Sequence, residues 1–218
     1  MKKMVLGLMV GAGILGTSTV AANAADTGEV VPSTTGDVAF SSGTLSLSVV
    51  DNTNLSFGKN TISAANATLG ASTTPTVKVS DLRGTNDGWS LTVAQGQQFN
   101  TKTDATGSAL TNAALTVFST KVSSDDPKVN EGHATLTPGT TTPGTTTSGT
   151  TTSGTTTSGT TTNGAAGTVA SALAGDGNGI STFKFGSSTL TVPGATPKLA
   201  QGYTTTLTWN LGATPSND

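Results

Sequence analysis

The sequence predicts an all-β protein, and three observations favour this class. Several short segments alternate apolar and polar side chains with a period of two, as strands with one buried face do. Clusters of Gly, Asn, Asp and Pro separate these segments at short intervals, as turns require. The chain is rich in Thr, Gly, Ser and Asn, which are poor helix formers. We therefore expect an antiparallel β-sandwich with an immunoglobulin-like arrangement of strands.

The alternation places the expected strands in order along the chain. Two segments, ISAANATLGAS and ASALAG, come closest to a helical pattern, but neither is convincing. The last expected strand shows the longest alternation, with side chains on one face at every second position. The same-face residues of the expected strands are Leu45, Leu47 and Val49; Val77 and Val79; Trp89, Leu91 and Val93; Leu115 and Val117; Phe183 and Phe185; Leu190 and Val192; and Tyr203, Thr205, Leu207, Trp209 and Leu211.

Residues 1–24 have the three parts of a secretory signal peptide. Two lysines follow Met1, an uncharged and mostly apolar run covers residues 4–16, and small side chains stand at Ala22 and Ala24. The alternative is an uncleaved membrane anchor, but the apolar run is too short to cross a hydrocarbon core of about 30 Å as a helix. We therefore expect export through the general secretory route.

The exported chain is expected to contain one domain. Residues 25–37 are small and polar and predict a flexible N-terminal segment. The β domain is expected over 38–218, interrupted at 138–164 by a low-complexity, Thr-rich loop. Five pentads, TTTPG, TTTSG, TTTSG, TTTSG and TTTNG, fill most of this loop and carry no charge. Their composition favours a disordered insertion over the alternative, a β-stack of threonines.

Composition excludes several classes of function. The chain has no cysteine, which rules out disulfides, thiolate metal sites and a lipid-modified cysteine. Ten basic residues against twelve acidic ones provide no basic surface for nucleic acid. His133 is the single histidine, so we expect a structural role for it and no metal site. We expect no catalytic residue and no cofactor, and therefore no enzyme.

Charged residues near turns are expected to be structural. Asp125-Asp126 precedes a proline, and Asp176-Gly177-Asn178-Gly179 is expected to form a tight turn. Asp81 and Arg83 are expected to form an ion pair at the end of a strand.

The two tryptophans open the same kind of tripeptide. Trp89-Ser90-Leu91 lies within DLRGTNDGWSLTV, and Trp209-Asn210-Leu211 lies within YTTTLTWNLGATP. Both segments, in this order, resemble the two motifs of the WxL domain of surface proteins from low-GC Gram-positive bacteria, in its short single-domain type. The Thr-Gly pentads lie between the motifs and depart from the pattern of that family.

The resemblance implies a function at the cell surface. It implies a secreted protein that attaches non-covalently to the cell wall, with peptidoglycan as ligand. It also implies partners, namely membrane-anchored proteins with WxL-binding regions and other WxL proteins. The alternative is an adhesin or assembly subunit that binds host matrix or a membrane-anchored partner by strand addition.

The motif residues Trp89, Leu91, Tyr203, Trp209 and Leu211 are the candidate ligand-binding residues. In each motif Trp and Leu share one face of a strand. That face is either part of the core, where tryptophan buries the most area, or a platform on which an indole stacks against a sugar ring. In both cases we expect the two motif strands to pair in one sheet.

Overall fold

The computed structural model describes residues 35–102, 107–142, 146–147, 155–156 and 160–213. Two compact units divide the chain, residues 1–39 and 40–218, and every strand below lies in the second. The predicted signal peptide lies outside the described residues, and so does most of the predicted flexible segment.

Strands joined by turns and loops make up the structured part of the described chain, and those residues form no helix, which confirms the all-β prediction. Accordingly, no helix able to cross a membrane occurs among the described residues. The strands are β1 (Leu45–Asp51), β2 (Ala67–Gly70), β3 (Thr76–Asp81), β4 (Trp89–Gln95), β5 (Ala114–Phe118), β6 (Thr120–Ser124), β7 (Asn130–Glu131), β8 (His133–Leu136), β9 (Thr140–Thr142), β10 (Thr146–Thr147), β11 (Thr155–Thr156), β12 (Thr160–Thr162), β13 (Gly167–Ala172), β14 (Gly179–Lys184), β15 (Thr189–Val192) and β16 (Leu207–Gly212).

Three four-stranded sheets form the body of the domain. We name them the motif sheet (β16-β4-β13-β7), the β3 sheet (β1-β3-β14-β6) and the β15 sheet (β2-β15-β5-β8). All strand pairs within these sheets are antiparallel. This arrangement agrees with the predicted β-sandwich.

The core contains most of the apolar residues that the alternation selected. Every second residue of β3, β4, β5 and β15 is buried on the same face, as a strand with one face toward the core requires. The edge strand β1 differs, because its Val49 remains 50% exposed. The largest fully buried side chains are Trp89, Phe183, Phe185, Leu91 and Leu115.

One expected strand boundary differs from the structure. The alternation at residues 203–211 yields a continuous strand only from Leu207, although Thr204 and Thr206 still bond to the chain after β4. The two segments that came closest to a helical pattern contain β2 and part of β13, so they form no helix, as expected, although the alternation did not identify these strands. Small side chains in β13 hide the alternation, and one of them is required by close packing, because a Cβ at Gly167 would collide with Ala134 of β8.

The described parts of the Thr-rich insertion form a hairpin. β9 pairs with β12 and β10 pairs with β11, both antiparallel and in the same register, with Thr140 opposite Thr162 and Thr147 opposite Thr155. The described residues follow the alternative of paired threonine strands, the remainder of the insertion lies outside the described residues, and disorder of the insertion as a whole stays a prediction. Threonine is β-branched and favours the extended backbone of strands, and cross-strand bonds such as Thr141 to Thr161, at 3.0 Å, join the two arms.

Glycines allow the two arms to approach closely at the foot of this hairpin, which is hydrogen-bonded to the motif sheet. The backbone N–H of Gly139 donates to the carbonyl of Gly96 at 2.6 Å, and that of Gly164 donates to the carbonyl of Gln95 at 2.8 Å. A Cβ atom at Gly139 or Gly164 would collide with backbone carbonyl oxygens of the opposite arm. The foot of the hairpin therefore lies beside the end of β4.

Candidate functional site

The two tryptophan motifs meet in the motif sheet. β4 carries the first motif and β16 the second, and the strands pair so that Trp209 lies opposite Val93 and Leu211 opposite Leu91. The pairing expected from the sequence is present. Trp89 and Trp209 occupy the same face, but Trp89 lies four positions along β4 from Val93, the partner of Trp209, which is about 13 Å along the strand.

Trp89 is part of the core. It has 0% exposure, and its ring lies edge-to-face against Phe183 of the β3 sheet, with centroids 6.1 Å apart. Its indole Nε1–H donates to the carbonyl of Gly177 at 3.0 Å, which satisfies the one polar atom of the side chain. Leu91 is equally buried. The structure therefore places both residues of the first motif in the core, one of the two roles considered above.

A glycine turn covers the indole of Trp89. Gly177 has a φ of +87°, and a Cβ there would collide with Ala172 and with the indole ring. Its backbone N–H donates to Asp126 at 2.6 Å, and this bond is the main reason why the pKa of the Asp126 carboxyl is lowered. Lys128 and Asp176, 3.0 Å apart, also join the two turns. The segment Asp176-Gly177-Asn178-Gly179 is therefore a structural turn.

An arginine clamp connects the two motifs. Arg83 contacts Asp81 through Nη2, at 2.7 Å, and Nε, at 2.9 Å, as the predicted ion pair requires. The guanidinium also donates to the carbonyls of Gly88, directly before the first tryptophan, and of Ala213, directly after β16. The hydrogen bonds from Arg83 lower the pKa of the Asp81 carboxyl, although burial opposes the shift. The sequence indicated the pair but not its link to the second motif.

The second motif is half-buried, in contrast to the first. Trp209 tilts against Phe185 with ring centroids 4.7 Å apart, and Leu211 is also partly buried. Tyr203 lies before β16, and its hydroxyl oxygen accepts a hydrogen bond from the backbone N–H of Leu199 at 2.7 Å. β16 is an edge strand, and it pairs only with β4 in the part of the chain that the structure describes.

The opposite face of the motif sheet is polar and neutral. Asn210, Thr92 and Thr168 lie side by side across β16, β4 and β13. Thr208, on the same face, accepts a hydrogen bond from the Asn163 side chain at the foot of the hairpin, at 3.0 Å. We call the face that carries these four sheet residues the polar face. It presents hydroxyl and amide groups in a row with the spacing of strands.

A cleft of about 220 Å³ opens where the hairpin meets the motif sheet. Its lining consists of Gln97, Thr161 and Thr204 to Thr206, all of them neutral and polar. We call it the hairpin cleft. No sequence motif indicated it, because its walls come from the chain after β4, the hairpin and the approach to β16.

The described residues contain no cluster of three or more His, Asp or Glu side chains that could hold a metal ion. His133 stacks on Phe118 across β5 and β8, with ring centroids 4.9 Å apart and an interplanar angle of 17°. This contact gives His133 a structural role, as expected.

Comparison with known proteins identifies the family. The family model described as "WxL domain surface cell wall-binding" matches residues 24–215. Comparisons with curated proteins and with solved structures gave no match. The family match covers both tryptophan motifs, the sheet they share and the inserted hairpin. This chain therefore belongs to the WxL domain family of secreted, surface-located, cell wall-binding proteins.

Proposed function

We propose that this protein binds peptidoglycan, and that the polar face and the hairpin cleft supply the contacts. The observation that carries the proposal is the division of the motif sheet into two faces. The Trp–Leu face packs against the core, and the other face presents Thr92, Thr208 and Asn210. A binding surface on this sheet is therefore its polar face. Neutral hydroxyl and amide groups match the hydroxyl and acetamido groups of a glycan strand.

Retention on the wall follows from repetition of weak contacts. Each hydrogen bond to a neutral partner contributes only about 1 kcal/mol. A repeating polymer offers new units next to every unit released, so the local concentration of sites stays high. No covalent link is needed in this scheme. We propose binding without catalysis, in agreement with a family that is described by its binding.

Sedimentation with protein-free peptidoglycan tests the proposal. The wild-type protein is expected to sediment with purified sacculi, and the double variant Thr208→Ala, Asn210→Ala is expected to remain mostly in the supernatant. The matched control is Thr116→Ala, Thr135→Ala, which removes an exposed, hydrogen-bonded threonine pair from the β15 sheet. A wild-type protein that ignores bare sacculi, or equal losses in both variants, contradicts the proposal.

A second candidate function is binding to a partner protein, either a membrane-anchored WxL-binding protein or another WxL protein. The observation that favours it is the position of β16 at the edge of the motif sheet, where a strand from another chain could add. This candidate predicts a complex in solution without any glycan. Size-exclusion chromatography with purified envelope proteins distinguishes the two, because peptidoglycan binding alone produces no such complex.

A further inference from the structure

We propose that the hairpin pairs edge to edge with the hairpin of a second copy of this chain. The proposal concerns contact between copies, so it goes beyond glycan binding and is independent of the ligand that the polar face takes. Three properties of the hairpin carry it: the outer edges of its arms are open, they are uncharged, and both arms repeat one short sequence.

The arms of the hairpin have open edges. Hydrogen bonds from Gly139, Asn163 and Gly164 attach the foot to the motif sheet and to the end of β4. Beyond the foot, β9 pairs with β12 and β10 with β11, and in the described chain none of these strands pairs with a strand of the three sheets. Each arm therefore directs backbone N–H and C=O groups away from the hairpin. A two-stranded hairpin is marginally stable alone, and an added strand stabilises it.

These edges lack the features that usually prevent pairing between chains, namely charged side chains, prolines and bulges. Both edge strands of the β3 sheet show such features, because β1 ends at Asp51 after a bulge and β6 has an irregularity beside Lys121. By contrast, the sequence has no charged residue between His133 and Asp176, and the described pairs of the hairpin keep a regular register. Pro143 follows the Thr triplet of β9 and so leaves the N–H groups of the triplet available.

The repeat makes a second hairpin the matching partner. β9 and β12 both read Thr-Thr-Thr, and β10 and β11 both read Thr-Thr. These segments already pair with each other inside one hairpin, where the hydroxyls of Thr141 and Thr161 lie 3.0 Å apart. A second copy offers the same triplets, so the same cross-strand pairs form between the outer edges. A shift by one pentad restores the pairing, which gives the contact several equivalent registers.

Symmetry favours contact between copies through the same edge. In a two-fold arrangement one surface serves both partners, and a neutral edge meets a neutral edge without repulsion. The chain as a whole has a formal net charge of −2, so the uncharged hairpin is a segment through which copies can approach. Each hairpin has a second outer edge, and pairing there extends the contact to further copies. Joined copies present several polar faces to one surface, which strengthens retention.

Sedimentation velocity of the secreted protein, without any glycan, tests the proposal. The wild type is expected to associate reversibly between about 10 µM and about 1 mM. Thr142→Lys, Thr162→Lys puts one charge on each arm, at exposed positions that are not opposite each other. Like charges then meet at both edges, and the dissociation constant should rise about tenfold or more. The matched control is Ser46→Lys, Ser48→Lys, which adds the same charge to the exposed edge strand β1 and should leave association unchanged.

A charge-swapped variant keeps the test decisive if the lysines disturb the hairpin itself. Thr142→Glu, Thr162→Glu should also stay monomeric alone, whereas an equimolar mixture of the Lys and Glu variants should associate, because opposite charges then meet across the contact. Disturbed hairpins would not recover on mixing. Circular dichroism of each variant checks that the body of the domain is folded.

Three results would overturn the proposal. The first is a wild-type protein that stays monomeric up to about 1 mM. The second is association that persists in the Lys variant or disappears in the β1 control, since the contact would then lie elsewhere, for example at the edge of β16. The third is a mixture of the Lys and Glu variants that remains monomeric. None of these results bears on sedimentation with sacculi, so peptidoglycan binding is tested separately.

Discussion

The two WxL motifs share a tripeptide pattern but occupy different environments. β4 is flanked on both sides by strands, and its Trp89 is fully buried against Phe183. β16 has a neighbour on one side only among the described residues, and its Trp209 is half-buried against Phe185. The position of the strand in the sheet therefore sets the burial of the indole. The Trp and Leu side chains of both motifs lie on the same face of the motif sheet, and the proposed contact with the wall uses the opposite, polar face.

The comparison predicts that the first tryptophan is the more important for stability. Trp89→Ala removes a fully buried ring and leaves the carbonyl of Gly177 without its hydrogen-bond donor. We expect a loss of about 4 kcal/mol in the free energy of unfolding, enough to leave much of the chain unfolded at 37 °C. Urea denaturation followed by circular dichroism measures this loss. A loss smaller than that of Trp209→Ala would contradict the assignment of Trp89 to the core.

The glycine turn over Trp89 offers a second test with an internal control. Gly177 and Gly175 both have positive φ, at +87° and +95°, but only Gly177 touches the indole. Gly177→Ala should therefore cost about 3 kcal/mol, from backbone strain and overpacking, while Gly175→Ala should cost about 1 kcal/mol from strain alone. Thermal unfolding of the two variants, side by side, measures the difference. Equal losses would show that the turn does not hold Trp89.

The sequence predicted the buried faces well because a strand's period of two is a local property. Val77, Val79, Leu91 and Val93 are buried as their spacing indicated. Local spacing carries no information about which strands become neighbours, so the link from Arg83 to Ala213 could not be anticipated. Only the shared form of the two motifs suggested that their strands pair.

The hairpin and its cleft escaped prediction for a different reason. The pentads contain no large apolar side chain, and composition therefore favoured disorder. Cross-strand pairing of β-branched residues, and close approach of the arms at Gly139 and Gly164, produce paired strands where the structure describes the insertion. The cleft joins residues more than a hundred positions apart, such as Gln97 and Thr205, so no sequence window contains it.

Trp209→Ala tests how much the second motif contributes to stability and to binding. Only part of the side chain is buried, so we expect a loss of about 2 kcal/mol, roughly half of that at Trp89. Since the indole lies on the face opposite Asn210, the folded variant should still sediment with sacculi. Chemical denaturation and sedimentation of the same preparation provide both readouts. Lost binding with an intact fold would assign the indole to the ligand surface.

The clamp between the motifs predicts a pH dependence. The pKa of Asp81 is lowered from 3.8 in the folded protein by the hydrogen bonds from Arg83. A folded pKa below the unfolded value stabilises the protein above the unfolded pKa, and this contribution disappears as pH falls through the folded pKa. Asp81→Asn cannot titrate and should lose about 1.5 kcal/mol at pH 7, because Arg83 loses its charged partner.

The pH profile distinguishes the clamp from an ordinary surface pair. The difference in unfolding free energy between wild type and Asp81→Asn should stay constant above about pH 5 and shrink as the pH falls below about 4. Asp87→Asn is the matched control, since Asp87 lies 3.9 Å from Arg83 with an exposed side chain, and its loss should stay under about 0.5 kcal/mol. Denaturant titrations from pH 2.5 to pH 7 measure both differences. If the two variants gave the same flat profile, Asp81 would not hold Arg83 in place, and the two motifs would be joined by strand pairing alone.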